Sequence, residues 1–179
     1  MLDRNNTALI LIDIQGKLAS LMHDREHLYR QLRILIQGAQ ALNLPIVWLE
    51  QYPRGLGPTV PEVAELLPGQ QPLSKTCFSA CALPDFAAQL RQSRRRQLLL
   101  AGIETHICVY QTACDLLHRG FPVQVVTDAV SSRTLENKRI ALERLKTAGA
   151  ELTSVEMCLF EMLRDARDPV FKTIAGLVK

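Results

Sequence analysis

The chain has 179 residues, 47% of them apolar and 22% charged, with a formal net charge of +3. A chain of this length buries about 70% of the surface its unfolded form exposes, so residues 1–179 are read as one domain with a real core. The small net charge gives no reason to expect a nucleic-acid or membrane-surface partner, and no stretch approaches the ~20 apolar residues that span a bilayer.

Apolar, β-rich runs alternate with helical patterns. "TALILID" (Thr7 to Asp13) is almost continuously apolar, as a parallel strand covered on both faces should be. The segment from Asp24 to Leu42 carries Leu28, Leu32, Leu35, Ile36, Ala39 and Leu42 at helical spacing. Asn43 ends it, and Pro45 opens the strand "PIVWLE". A long Gly- and Pro-rich loop follows, "QYPRGLGPTVPE", of a length uncommon in compact domains unless it has a role. The short extended piece "QPLSK" ends at Lys75, and Pro84 starts a helix reaching about Gln92. Arg94-Arg95-Arg96 reads as a solvated loop or helix end. "RQLLLAG" is a strand, and the next helix holds Cys114 and Leu117 and stops at Gly120. "PVQVVTDAV" is a strand, Leu135 to Ala148 a helix closed by Gly149, and "AELTSV" a last strand before one or two C-terminal helices.

This rhythm predicts an α/β fold with a parallel sheet covered on both faces. Ligands in such sheets sit beyond the carboxyl ends of the strands, where the strand order reverses. In the doubly wound order 3-2-1-4-5-6, strands one and four flank that point.

Three strand ends carry reactive groups: Asp13, Lys75 and, in the turn after "LLLAG", Cys108. A thiol is reactive as its thiolate, and a helix N-terminus with a nearby cation lowers its pKa. Lys75 can supply the cation. Asp13 can take the thiol proton and return it to a leaving amine. Taken singly, each has a plainer reading: an inert core cysteine, a helix-capping aspartate and a solvated lysine.

"LILIDIQ", "SKTCFSA" and "AGIETHICVYQTACDL" together resemble the three signature segments of the isochorismatase-like cysteine hydrolases, in order and in spacing. Gly102, Thr105 and Cys108 fall at matching places, and the resemblance spans nearly the whole chain. It implies a three-layer α/β/α fold with six strands and an Asp13-Lys75-Cys108 triad. It implies hydrolysis of amides or carbamoyl groups through a thioester. It further implies a cis peptide at Ile103–Glu104, which would aim the backbone N–H of Glu104, with that of Cys108, at an oxyanion. The Glu104 side chain is then incidental, a surface or interface group.

The departures from the family matter too. The nicotinamidase branch binds a metal through an Asp and His cluster after the second strand. Here "WLEQYPRGLGPTVPE" has neither residue type and Glu50 stands alone, so no metal and no cofactor are expected. That stretch is most similar to the isochorismatase domain-containing subgroup. Substrate-binding candidates are Gln15, Gln51, Tyr52, Phe78 and Tyr110. His106 lies two residues before Cys108 in a tight turn and is expected to point elsewhere rather than form a Cys-His dyad.

The five cysteines (Cys77, Cys81, Cys108, Cys114 and Cys158) are an odd number. The N-terminus lacks a small-residue cleavage site, so reduced thiols in the cytoplasm are expected. Cys77 and Cys81 have no second pair at zinc-site spacing. The sequence thus reads as a metal-independent hydrolase of a small-molecule amide, carbamoyl or related acyl substrate, without nucleic-acid or membrane partners. The family resemblance suggests a homo-oligomer. The alternatives are a binding or scaffold protein that keeps the fold, and a thiol redox enzyme, for which no C-x-x-C motif is present.

Overall fold

Every residue of the first strand, TALILI, is buried, because helices cover both faces of the sheet it belongs to. The computed structural model describes residues 1–179. Six strands form one parallel sheet: β1 (Thr7–Ile12), β2 (Ile46–Gln51), β3 (Leu73–Lys75), β4 (Gln97–Ile103), β5 (Val123–Ser131) and β6 (Glu151–Thr153). Their order is β3-β2-β1-β4-β5-β6, the doubly wound order considered above.

The longer helices are α2 (Arg25–Ala41), α5 (Pro84–Ser93), α6 (Tyr110–His118), α7 (Leu135–Thr147), α8 (Val155–Leu163) and α9 (Phe171–Leu177). Side chains alternate across the sheet with the strand period of two. Leu9, Leu11, Leu99 and Ala101 pack with α2, α8 and α9 on one face. Ala8, Ile10, Ile12, Leu98 and Leu100 pack with α5, α6 and α7 on the other. No helix is long and apolar enough to cross a membrane.

Three short helices were not expected from the sequence: α1 (Gly16–Ser20), α3 (Pro53–Leu56) and α4 (Pro61–Ala64). Helices this short are not stable by propensity and depend on what they pack against. The last two break up the predicted long loop, each with proline in its first turn. The loop is held by a buried carboxylate. Glu50 Oε1 accepts from the Thr59 N–H (2.6 Å) and hydroxyl (2.7 Å), and Trp48 Nε1 donates to the same hydroxyl at 2.9 Å. Glu50 is therefore partnered rather than alone. The second helix begins after Asp24, which has φ 50 and so lies outside the helical region.

At the centre of the sheet, β4 approaches β1 too closely for any side chain. Gly102 pairs with Ile12 and has φ 120, and a Cβ there would lie 2.1 Å from the Ile12 carbonyl oxygen. Only glycine accepts both the conformation and the space. Gly102→Ala is expected to lower unfolding free energy by about 3 kcal/mol or more in urea denaturation, since strain and a backbone clash combine at one buried point.

Candidate active site

The ends of β1, β3 and β4 bring Asp13, Lys75 and Cys108 together. Asp13 follows β1 with φ 55, and its N–H donates to the Leu49 carbonyl at 3.1 Å. This tight turn directs the chain away from the strand before α1. Lys75 is the last residue of β3, two strands away, and its side chain crosses back. Its Nζ donates to Asp13 Oδ2 at 2.6 Å. The pair is almost sealed from solvent, with side-chain exposures of 0% for Lys75 and 2% for Asp13. Three more acceptors surround the ammonium: Gln51 Oε1 at 2.6 Å and the carbonyls of Cys77 and Phe78, each at 3.2 Å.

Cys108 lies in a π-helical turn, Thr105–Val109, that runs directly into α6. Its side chain belongs to the core cluster under α6, yet the residue keeps 7% exposure. The thiol is close enough to Asp13 for each to shift the other's ionisation. The second carboxylate oxygen, Asp13 Oδ1, is buried and accepts no hydrogen bond.

The electrostatics differ from the sequence expectation of an acidic thiol. Burial pushes the Cys108 thiol up to about 12, the Asp13 charge adds to the rise, and Lys75 offsets only part of it. Burial likewise holds the Asp13 carboxyl above its ordinary value, with Lys75 opposing. The helix start and the cation are both present. Desolvation and a neighbouring carboxylate outweigh them.

The peptide between Ile103 and Glu104 is cis. The Glu104 N–H that follows it has no hydrogen-bond acceptor in the structure. The Glu104 side chain corrects an expectation: it is 6% exposed, not a surface group. Its Oε1 accepts from Arg133 N at 3.2 Å and Arg133 Nε at 3.1 Å, tying the turn to the segment after β5. His106 Nδ1 bonds Ser132 Oγ at 3.0 Å and so is committed away from a Cys-His dyad.

The candidate substrate contacts divide. Gln15 is fully buried, with Nε2 on the carbonyls of Gln51 (3.0 Å) and Gly57 (2.8 Å) and Oε1 accepting from Gln51 N (2.6 Å). Its amide is spent on backbone, so it braces the loop instead of meeting substrate. Gln51 places one end on Lys75 and the other on the Thr76 carbonyl at 2.7 Å. Tyr110 carries the Arg144 guanidinium 4.8 Å above its ring, which occupies one face. Tyr52 and Phe78 are each 53% exposed and flank Lys75 through their backbones.

The residues that could hold a metal are few after β2. Glu50 is committed to Thr59 and Gln51 to Lys75. No group of three or more His, Cys, Asp or Glu side chains converges anywhere in the fold. Sequence reading missed the Glu104–Arg133 and Glu50–Thr59 pairs. The available signal was an acid placed next to a buried strand, which needs a partner, but the partner's identity comes only from the fold.

The six-stranded parallel sheet in this order, with helices on both faces, is the fold of isochorismatase-like hydrolases. Residues 7–157 match the Isochorismatase domain, and the chain belongs to that family. Isochorismatase domain-containing protein 2 from Bos taurus is 43% identical over 175 residues, covering 97% of this chain and 83% of that one. Among solved structures, the MAR1 ribonuclease from Caenorhabditis elegans superposes with a TM-score of 0.93 at 38% identity, over 99% of this chain and 91% of that one. Two YcaC structures each superpose with a TM-score of 0.92 at 30% identity over 98% of this chain. The Pseudomonas aeruginosa protein, 90% covered, carries covalent acrylamide. The Escherichia coli protein, 88% covered, is described as an octameric hydrolase of unknown specificity.

Lys75→Met removes the one charge that opposes burial at Asp13. Asp13 should then rise further above its ordinary value. A carboxyl whose folded pKa is raised contributes stability below its unfolded pKa and loses it as pH rises through the folded value. The variant should therefore have a larger unfolding free energy from urea titration at about pH 5 than at about pH 8, by about 1.4 kcal/mol for each unit of the rise that lies between those pH values. Equal unfolding free energies at the two pH values contradict the assignment.

Proposed function

We propose that the protein is a metal-independent cysteine hydrolase that opens a small amide, carbamoyl or related acyl substrate through a thioester at Cys108. The observation that carries this reading is the sealed Lys75–Asp13 bond, which leaves Asp13 Oδ1 unpartnered next to the Cys108 thiol. With burial and Asp13 pushing the thiol up to about 12, attack and proton transfer are coupled. Cys108 Sγ bonds the carbonyl carbon as Asp13 takes its proton. The carbonyl electron pair moves onto oxygen, where the N–H groups of Glu104 and Cys108 receive it. Collapse returns the Asp13 proton to the leaving nitrogen and expels the amine. Water then attacks the thioester with Asp13 again as base, releasing the acid and restoring the thiol.

Lys75 keeps Asp13 ionised in its buried setting and limits the charge change as the proton moves. Tyr52 and Phe78 offer exposed rings beside the site and serve as substrate walls. The covalent acrylamide on the Pseudomonas relative supports an electrophile-accepting centre in this fold. The octameric relative supports a homo-oligomer, and five unpaired cysteines suit a reducing compartment.

Cys108→Ala and Asp13→Asn should each reduce hydrolysis of an accepted amide by about 10³-fold or more, and the double variant should be little worse, because the two act as one unit. The kcat/KM profile should fall on the acid side as Asp13 protonates and show no gain between about pH 7 and 9, where an ordinary thiol would ionise. A panel of amides, esters and carbamoyl compounds with no Cys108-dependent turnover would sink the hydrolase reading in favour of a binding or scaffold role.

A further inference from the structure

Four acceptors surround the Lys75 ammonium, which has three protons to give. Asp13 is the charged one and the Cys77 and Phe78 carbonyls are backbone. Gln51 is the only neutral side chain, and its bond is as short as that of Asp13, 2.6 Å. The orientation of its amide is determined by its far end. Nε2 donates to the Thr76 carbonyl at 2.7 Å, so the oxygen must face the ammonium.

The Gln51 backbone is fixed as firmly as its side chain. The fully buried Gln15 amide receives the Gln51 N–H at 2.6 Å and donates to the Gln51 carbonyl at 3.0 Å. Two glutamines thus form a chain from the end of β1, through the end of β2, to the end of β3. It terminates on Nζ.

We propose that Gln51 is a positioning residue: held by Gln15 and Thr76, it fixes the Lys75 ammonium against Asp13 and thereby sets the reactivity of Cys108. The inference rests on the hydrolase reading above and adds a member to its machinery. A neutral amide suits the task. A second carboxylate at this point would compete with Asp13 for the cation, and an apolar side chain would leave the ammonium one acceptor short and free to shift.

The charged and titratable groups around the centre come from each element that meets there, including Tyr52 after β2 and Cys77 after β3. Asp13 comes from the end of β1, Glu50 from β2 and Lys75 from β3. On the turn before α6, Glu104 is paired with Arg133 and His106 is bonded to Ser132. An added charge at position 51 therefore acts on a site whose other members are accounted for.

The test needs no substrate. The rate of Cys108 alkylation by iodoacetamide is followed by site-resolved peptide mass spectrometry between about pH 6 and 9, with Cys108→Ala marking the background from the other thiols. Alkylation proceeds as attack does in hydrolysis, with Asp13 taking the thiol proton as sulfur bonds carbon and iodide departs, so its rate follows the ionisation of Asp13. Gln51→Glu draws Lys75 away from Asp13 and should slow Cys108 labelling at least about fivefold at neutral pH, moving the rate-pH curve to higher pH. Gln51→Met, close in volume and uncharged, should slow labelling without that displacement and serves as the second variant should the glutamate disturb folding. Thermal melts establish that each variant is folded. Folded variants that label within about twofold of the parent across the range overturn the proposal alone. A parent Cys108 that does not label at any pH overturns it together with the hydrolase reading.

Discussion

The buried bond between Lys75 and Asp13 is the constraint on which the rest of the site depends. Taking an ammonium and a carboxylate out of water costs several kcal/mol per ion, and only close geometry with further hydrogen bonds offsets it. The fold supplies both. The ammonium has a 2.6 Å carboxylate contact and three more acceptors. The strand order makes this possible, since Lys75 at the sheet edge reaches across β2 to the end of β1. Gly102 lets β4 close on β1 from the other side. What remains unsatisfied is one carboxylate oxygen, and it belongs to the residue beside the thiol.

That arrangement favours a different strategy from a preformed thiolate. A cysteine activated by a low pKa is nucleophilic at all times and open to oxidation. Here burial and Asp13 push the thiol up to about 12, and in the proposed mechanism Asp13 beside it is the base that removes the proton. Reactivity then appears when a substrate carbonyl arrives to take up the charge. The same reasoning weakens a redox role for Cys108, because such sensors rely on an accessible, acidic thiol.

Much of the fold was legible because its signals are local and repeated. Continuous apolar runs identified buried parallel strands, and their alternation with helical stripes predicted the covered parallel sheet; the strand order came from the doubly wound template and the six strands from the family resemblance. The meeting of Asp13, Lys75 and Cys108 was legible only through combination: each has plain alternatives, and their positions at strand ends together with the family segments singled them out as a candidate site. The remainder depends on three-dimensional neighbours. Pro53 and Pro61 open helical turns inside a segment whose glycines and prolines read as loop. Gln15 and Gln51 look like free polar side chains in the sequence, and only the partners of their amides show that they brace the loop and the lysine. Glu104 seemed a surface group because its partner, Arg133, is remote in sequence. The direction of the Cys108 shift was misread because a helix start and a cation are visible in sequence, whereas the depth of burial that outweighs them is not.

The central claim is that Cys108 rests as a thiol beside a carboxylate base. It is tested most directly by titrating thiolate ultraviolet absorbance in the protein and subtracting the same titration of Cys108→Ala. With the thiol pushed up to about 12, the difference should show no thiolate from Cys108 up to about pH 10. A difference signal titrating near about pH 7 would contradict the account, because Cys108 would then be a preformed thiolate with no need of Asp13 to take its proton.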